Sequence, residues 1–132
     1  MTQRYGIDTF ILVRLLTGEP AADFDYCVGK LTGLIQDSAA EIFASNQVIG
    51  EAYVAVQHHY GVTKADARSG LIDVLSSGLV APLNGTIVNE ALKASDSPGL
   101  LDRLIADDYH RDGLETLTLD RRMSRIPQVR RL

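Results

Sequence analysis

Short apolar stretches alternate with helix-periodic segments along this chain, and that alternation constrains its fold more than any other feature. Residues 4–8 read as a short strand. Thr9 is then placed to cap a helix over residues 10–16, which Gly18 and Pro20 end. Further on, Cys27, Val28, Leu31, Leu34 and Ile35 follow Phe24 at intervals of 3, 4, 7, 10 and 11 residues. Those intervals put all six on one face of a helix, with Cys27 as a core residue. Residues 41–44 are short and apolar enough for a buried strand. Asn46 is a candidate cap for a helix running to Tyr60, with Ile49, Ala52, Tyr53 and Val56 inward and a stop at Gly61.

Thr63 with Asp66 three residues on has the form of a capping box, opening a helix that Gly78 ends. Residues 79–83 read as a strand, and Asn84 as the cap of a helix to about Ala94. Ser97 followed by Pro98 is a helix-start signal. That helix is expected to turn Leu101, Leu104 and Ile105 inward and to stop near Gly113. Residues 115–119 form a further strand, and residues 129–132 a short edge strand. Strands and helices in this order predict the α/β class, with a three-layer α/β/α arrangement around a mainly parallel central sheet. A chain of 132 residues predicts a single domain over 1–132.

Composition removes several classes. With 45% apolar and 23% charged residues the chain is ordinary globular material, neither disordered nor collagen-like nor a coiled coil. One cysteine permits neither an internal disulfide nor a cysteine-based zinc site. No apolar run approaches a membrane span, and Asp8 and Arg14 interrupt the only candidate for a signal peptide. The expectation is a cytoplasmic protein. Charge is unevenly placed: residues 121–132 carry five arginines and no acid, leaving eight basic against 17 acidic residues in 1–120.

In parallel α/β sheets ligands gather beyond the carboxyl ends of the strands. Here those places are acidic. Asp8 ends the first strand, Glu51 lies in the first turns of the helix after residues 41–44, Asp102 near the start of a later helix, and Asp120 after residues 115–119. Each alone suits a helix dipole; four at equivalent edges suggest a site. Two carboxylates about 5 Å apart repel by roughly 3 kcal/mol at an effective dielectric of about 20. A converged set therefore has to be protonated or neutralised by cations, and all-oxygen ligands select Mg2+ or Mn2+. Such ions suit phosphate chemistry.

These residues resemble the PIN-domain family, and within it the small VapC-type toxin ribonucleases. The resemblance begins at YGIDTFILVRLL, continues in VIGEAYVAV, and is most specific in LLDRLIADDYHRDGLETLTLD, where Gly113 stands eleven residues after Asp102 and Thr118 precedes Asp120 in a Thr-x-Asp ending. It covers nearly the whole chain, residues 62–96 contributing little. It implies a PIN-like fold, with Asp8, Glu51, Asp102 and Asp120 as the catalytic, metal-binding set and Thr9 and Thr118 as supporting hydroxyls. It further implies metal-dependent endonucleolytic cleavage of RNA, a homodimer, and silencing by a cognate antitoxin protein. This chain departs from the family at Phe10, Arg103, Asp107 and Asp108, where smaller or apolar residues are usual.

RNA binding needs phosphate neutralisation, which makes Arg121, Arg122 and Arg125, next to Asp120, candidates for contacts to the RNA backbone. His58 and His59 are adjacent and diverge by about 100° on a helix, so they cannot share a metal. No nucleophile elbow and no phosphate-cradling glycine loop is present. A receiver-type signalling domain would require a mid-chain aspartate and a late lysine, whereas this chain has Glu51 and no lysine after Lys93. A DxDxT phosphatase would need a second aspartate at Phe10. A non-catalytic binding module of the same fold is the remaining alternative, and loss of a carboxylate would mark it; none of the four is missing.

Overall fold

The computed structural model describes residues 2–132. Among the described residues the chain is α/β, with six α-helices and five short strands, every strand pairing being parallel. β1 (Arg4–Gly6), β2 (Glu41–Ala44) and β3 (Ala81–Pro82) form one sheet in the order β1-β2-β3. β4 (Thr116–Thr118) and β5 (Val129–Arg131) form a second, separate pair. The single central sheet expected from the alternation is thus divided into two small ladders. The strands are also shorter than expected: residues 79–83 yield only β3, and residues 115–119 only β4.

The helices are α1 (Thr9–Thr17), α2 (Ala21–Ser38), α3 (Asn46–Tyr60), α4 (Lys64–Leu75), α5 (Thr86–Lys93) and α6 (Leu100–Arg111). Parallel neighbours need a crossover, and here α1 with α2 links β1 to β2, while α3 with α4 links β2 to β3. The main core lies where these helices meet the sheet. Leu12, Ile49, Leu71, Val80, Val88 and Leu92 are the largest of its fully buried side chains. Ile49, Ala52, Tyr53 and Val56 are buried as their periodicity predicts. On α2 only Leu31 is buried; Phe24, Cys27, Val28 and Ile35 pack half-buried against the core. A smaller cluster of Ala106, Met123, Val129 and Ile126 joins the end of α6 to the C-terminal ladder.

Four helix starts differ from expectation by one or two residues. Asp8, not Thr9, caps α1, its carboxylate accepting from the Ile11 N–H at 3.0 Å. Ser45, not Asn46, caps α3 by accepting from Val48 N–H. Gly85, not Asn84, precedes α5, and Gly99, not Ser97, precedes α6. The Thr63 cap of α4 is as expected, accepting from Asp66 N–H. Gly18 ends α1 at φ +69, a left-handed conformation that costs a glycine little. The inward face of α6 also differs from expectation: Leu104 is buried as expected and Leu100 and Ala106 with it, whereas Leu101 and Ile105 are exposed, because packing against the core selects that face.

Candidate functional site

The site is built where β1 hands over to α1 and where α3 runs past it. Asp8 is exposed at that junction, its side chain occupied by the α1 cap. The next residue, Thr9, donates its hydroxyl to Glu51 Oε1 at 2.7 Å, across 42 residues of sequence. Thr9 thus ties the Asp8 turn to the second turn of α3, with the exposed Glu51 carboxylate held beside it. Gly50, just before Glu51, lets α6 come close: a Cβ there would stand 3.0 Å from Leu101 Cδ2. Glu51 and Leu101 line one groove between α3 and α6. Asp102, next to Leu101, is half-buried in the first turn of α6.

Asp120 is positioned separately, after β4. Its backbone N–H donates to Thr118 Oγ1 at 3.0 Å, and its Oδ1 accepts from the Arg122 N–H at 2.7 Å. The Arg122 N–H above all, helped by the Met123 N–H and the Arg122 guanidinium, holds the Asp120 carboxyl below the usual aspartate value, against some desolvation. The Arg122 Nε lies 3.6 Å from Asp120 Oδ1, so this arginine is paired with an acid. Arg121 and Arg125 are exposed beside it. Arg130 reaches Glu115 at 3.2 Å.

Thr9 is thereby joined to Glu51, and Thr118 to the backbone of Asp120. Among the described residues, no three histidine, cysteine or acidic side chains are grouped closely enough to hold a metal ion. Three of the four carboxylates have local partners: Asp8 the α1 backbone, Glu51 a hydroxyl, Asp120 a turn N–H and a guanidinium. The donor chemistry, oxygen throughout and open to solvent at Asp8 and Glu51, fits a hard divalent cation.

A second polar cluster was not foreseen. Asn46 and Asn84 stand two residues past the ends of β2 and β3, and both point their amides at α6. Asn46 Nδ2 lies 3.0 Å from Asp107 Oδ2 and from Asp108 Oδ1, and 3.1 Å from the Leu104 carbonyl. Asn84 Nδ2 lies 2.9 Å from Asp107 and 3.0 Å from Asp108. Arg111 completes it, 3.3 Å from Asp107 and bonded to the Asn84 carbonyl. The Asp107 side chain is only 8% exposed, which such partners make tolerable. The Asp107–Arg111 spacing of four was legible in the sequence. Reading both asparagines as helix caps concealed the rest.

Among the described residues, no helix is long and apolar enough to cross a membrane. No family model, no curated protein and no solved structure matches this chain.

Proposed function

We propose that this chain is a metal-dependent endoribonuclease with a PIN-like, three-layer α/β/α fold, hydrolysing RNA phosphodiester bonds. The observation that carries the reading is the 2.7 Å bond from Thr9 to Glu51, which holds one expected site carboxylate against the turn that bears another, Asp8. In this reading Asp8, Glu51, Asp102 and Asp120 hold Mg2+ or Mn2+. A divalent ion held there would supply a Lewis acid for the phosphoryl oxygens and would favour ionisation of an attacking water. Thr9 orients Glu51, and Thr118 fixes the Asp120 backbone. The Arg122 N–H and guanidinium favour the ionised form of the Asp120 carboxyl. Arg121, Arg122 and Arg125 bind RNA phosphates once the pair between Arg122 and Asp120 opens. Exposed surface pairs of this kind are weak and yield readily. The cytoplasmic toxin of a toxin–antitoxin pair, homodimeric and silenced by its antitoxin, is the physiological role that we infer.

The test is RNA cleavage by purified protein in Mn2+, in Mg2+ and in chelator, beside Asp8→Asn. Asparagine caps a helix as well as aspartate does. The variant therefore keeps the α1 cap while removing a metal ligand, and an unchanged melting temperature verifies this. Metal-dependent cleavage that Asp8→Asn abolishes supports the reading. No cleavage of any RNA, with no metal-induced rise in melting temperature, sinks it in favour of a binding module.

A further inference from the structure

Phe10 is the second residue of α1, immediately after Thr9, and its ring is 75% exposed although Leu12, Val13 and Leu15 of the same helix are buried. Fully burying such a ring contributes about 1.5–3 kcal/mol, a gain this position forgoes. The ring borders a cleft of about 330 Å3 between α1 and α3, whose walls include Thr9, Arg14, Ala55, His59 and Tyr60. Arg14 lies four residues after Phe10, on the same helix face. Its Nη1 donates to the Tyr60 hydroxyl at 3.4 Å, and its Nε lies 3.6 Å from the exposed Asp23 carboxylate. Two aromatic rings, an imidazole and a guanidinium thus surround one small opening. Thr9 belongs both to this cleft and to the Glu51 contact, and His59 lines both this cleft and the groove beside Glu51.

We propose that this cleft is a subsite for one unpaired nucleobase, with Phe10 as its stacking platform and Arg14 and Tyr60 at its rim. This rests on the ribonuclease reading above. Every base presents a π-face, and single-stranded RNA is held by splaying bases onto aromatic rings and arginine planes. The opening is at the small end of ligand pockets, which suits one ring system better than a partner's helix. Polar groups on its walls match a base edge and its phosphate. The Arg14 side chain is 26% exposed, and its pair with the exposed Asp23 is of the weak surface kind, so the guanidinium can exchange that acid for an RNA phosphate at the rim. A base seated here places its own nucleotide next to the Asp8 turn.

The test measures binding of a labelled single-stranded RNA, in Mg2+ and in the Asp8→Asn background, so that cleavage does not intervene. Phe10→Ala is expected to weaken binding about tenfold or more, as loss of one stacked base does. Its melting temperature should stay unchanged. The chain contains no tryptophan, so Phe10→Trp introduces a single indole. That variant should keep the affinity, and its emission should be quenched by single-stranded RNA and not by a duplex of equal length. Equal affinity of Phe10→Ala, or an unquenched indole at saturating RNA, overturns the subsite. So does a Phe10→Ala variant whose only change is in oligomeric mass, which would assign the ring to a protein contact. Metal-dependent cleavage with affinity indifferent to Phe10 removes the subsite and leaves the nuclease. Phe10-dependent binding with no cleavage does the reverse, and no RNA binding at all removes both.

Discussion

The body around β1, β2 and β3 and the arm formed by β4 and β5 are held in different ways. In the body, side chains from α1, α3, α4, α5 and the sheet interdigitate, and several are fully buried. The arm has two three-residue strands over a cluster of Ala106, Met123, Val129 and Ile126, while Leu117, Leu119 and Leu132 remain exposed. α6 belongs to both: Leu100 and Leu104 enter the main core and Ala106 the smaller one. The expected site is divided along the same line. Asp8 and Glu51 are on the body, Asp102 is on the bridging helix, and Asp120 is on the arm. Local stability follows packing, so any rearrangement that gathers the four acids costs least at the arm. Asp8 and Glu51 are thus carried by the larger core, and Asp120 by the smaller one.

The comparison can be broken most directly in the core. Leu71→Ala, at a fully buried position of α4, is expected to cost about 2–5 kcal/mol in denaturant unfolding. Met123→Ala should cost about 2 kcal/mol or less, because its cluster is small and can collapse. Hydrogen exchange should localise that loss to residues 114–132. Equal global destabilisation by both would show that arm and body unfold as one unit.

The bridge is tested at Asn46. Asn46→Ala removes donors from the nearly buried Asp107 and is expected to cost about 1–3 kcal/mol, read as a fall in unfolding midpoint. A neutral outcome would mean that Asn84 and Arg111 alone satisfy that carboxylate.

Within the site the expected effects on stability are smaller. Thr9→Val deletes the hydroxyl that holds Glu51 and should change stability by about 1 kcal/mol or less, since the bond is exposed. Its effect on metal-dependent cleavage should be much larger than its effect on melting. Unchanged cleavage would detach Thr9 from the site. The smallest effect concerns the arm's own acid. Asp120 should titrate below the usual aspartate value in a carboxyl NMR titration, and Asp120→Asn should abolish that titration. A depressed folded-state pKa means that the contribution of Asp120 to stability is present above the unfolded value and is lost as pH falls through the depressed one. An ordinary pKa at Asp120 would show that the Arg122 turn does not form in solution.

Much of the body was legible in the sequence because its signals are local. The face of Ile49, Ala52, Tyr53 and Val56, the stops at Gly18 and Gly61, and the Thr63 cap all depend on residues within a turn or two of one another. Asp8, Glu51, Asp102 and Asp120 could likewise be placed near element ends from order alone. Cap assignments failed where two polar residues stood side by side, as with Asp8 and Thr9 or Ser45 and Asn46. Either residue of such a pair can cap a helix, and the one not used is released for another role. Thr9 took Glu51, and Asn46 took Asp107 and Asp108.

Residue order alone carried the α/β class, the parallel pairing and the rough placement of the elements, since periodicity and turn chemistry are properties of neighbouring residues. Only the tertiary structure decided the long-range partners: the division of the strands into two ladders, the choice of inward face on α6 that leaves Leu101 and Ile105 exposed, the Asn46–Asn84–Asp107 cluster, and the opening beside Phe10. These depend on how elements separated by tens of residues approach one another. No local pattern encodes that approach, because it is settled by the packing of whole faces at once.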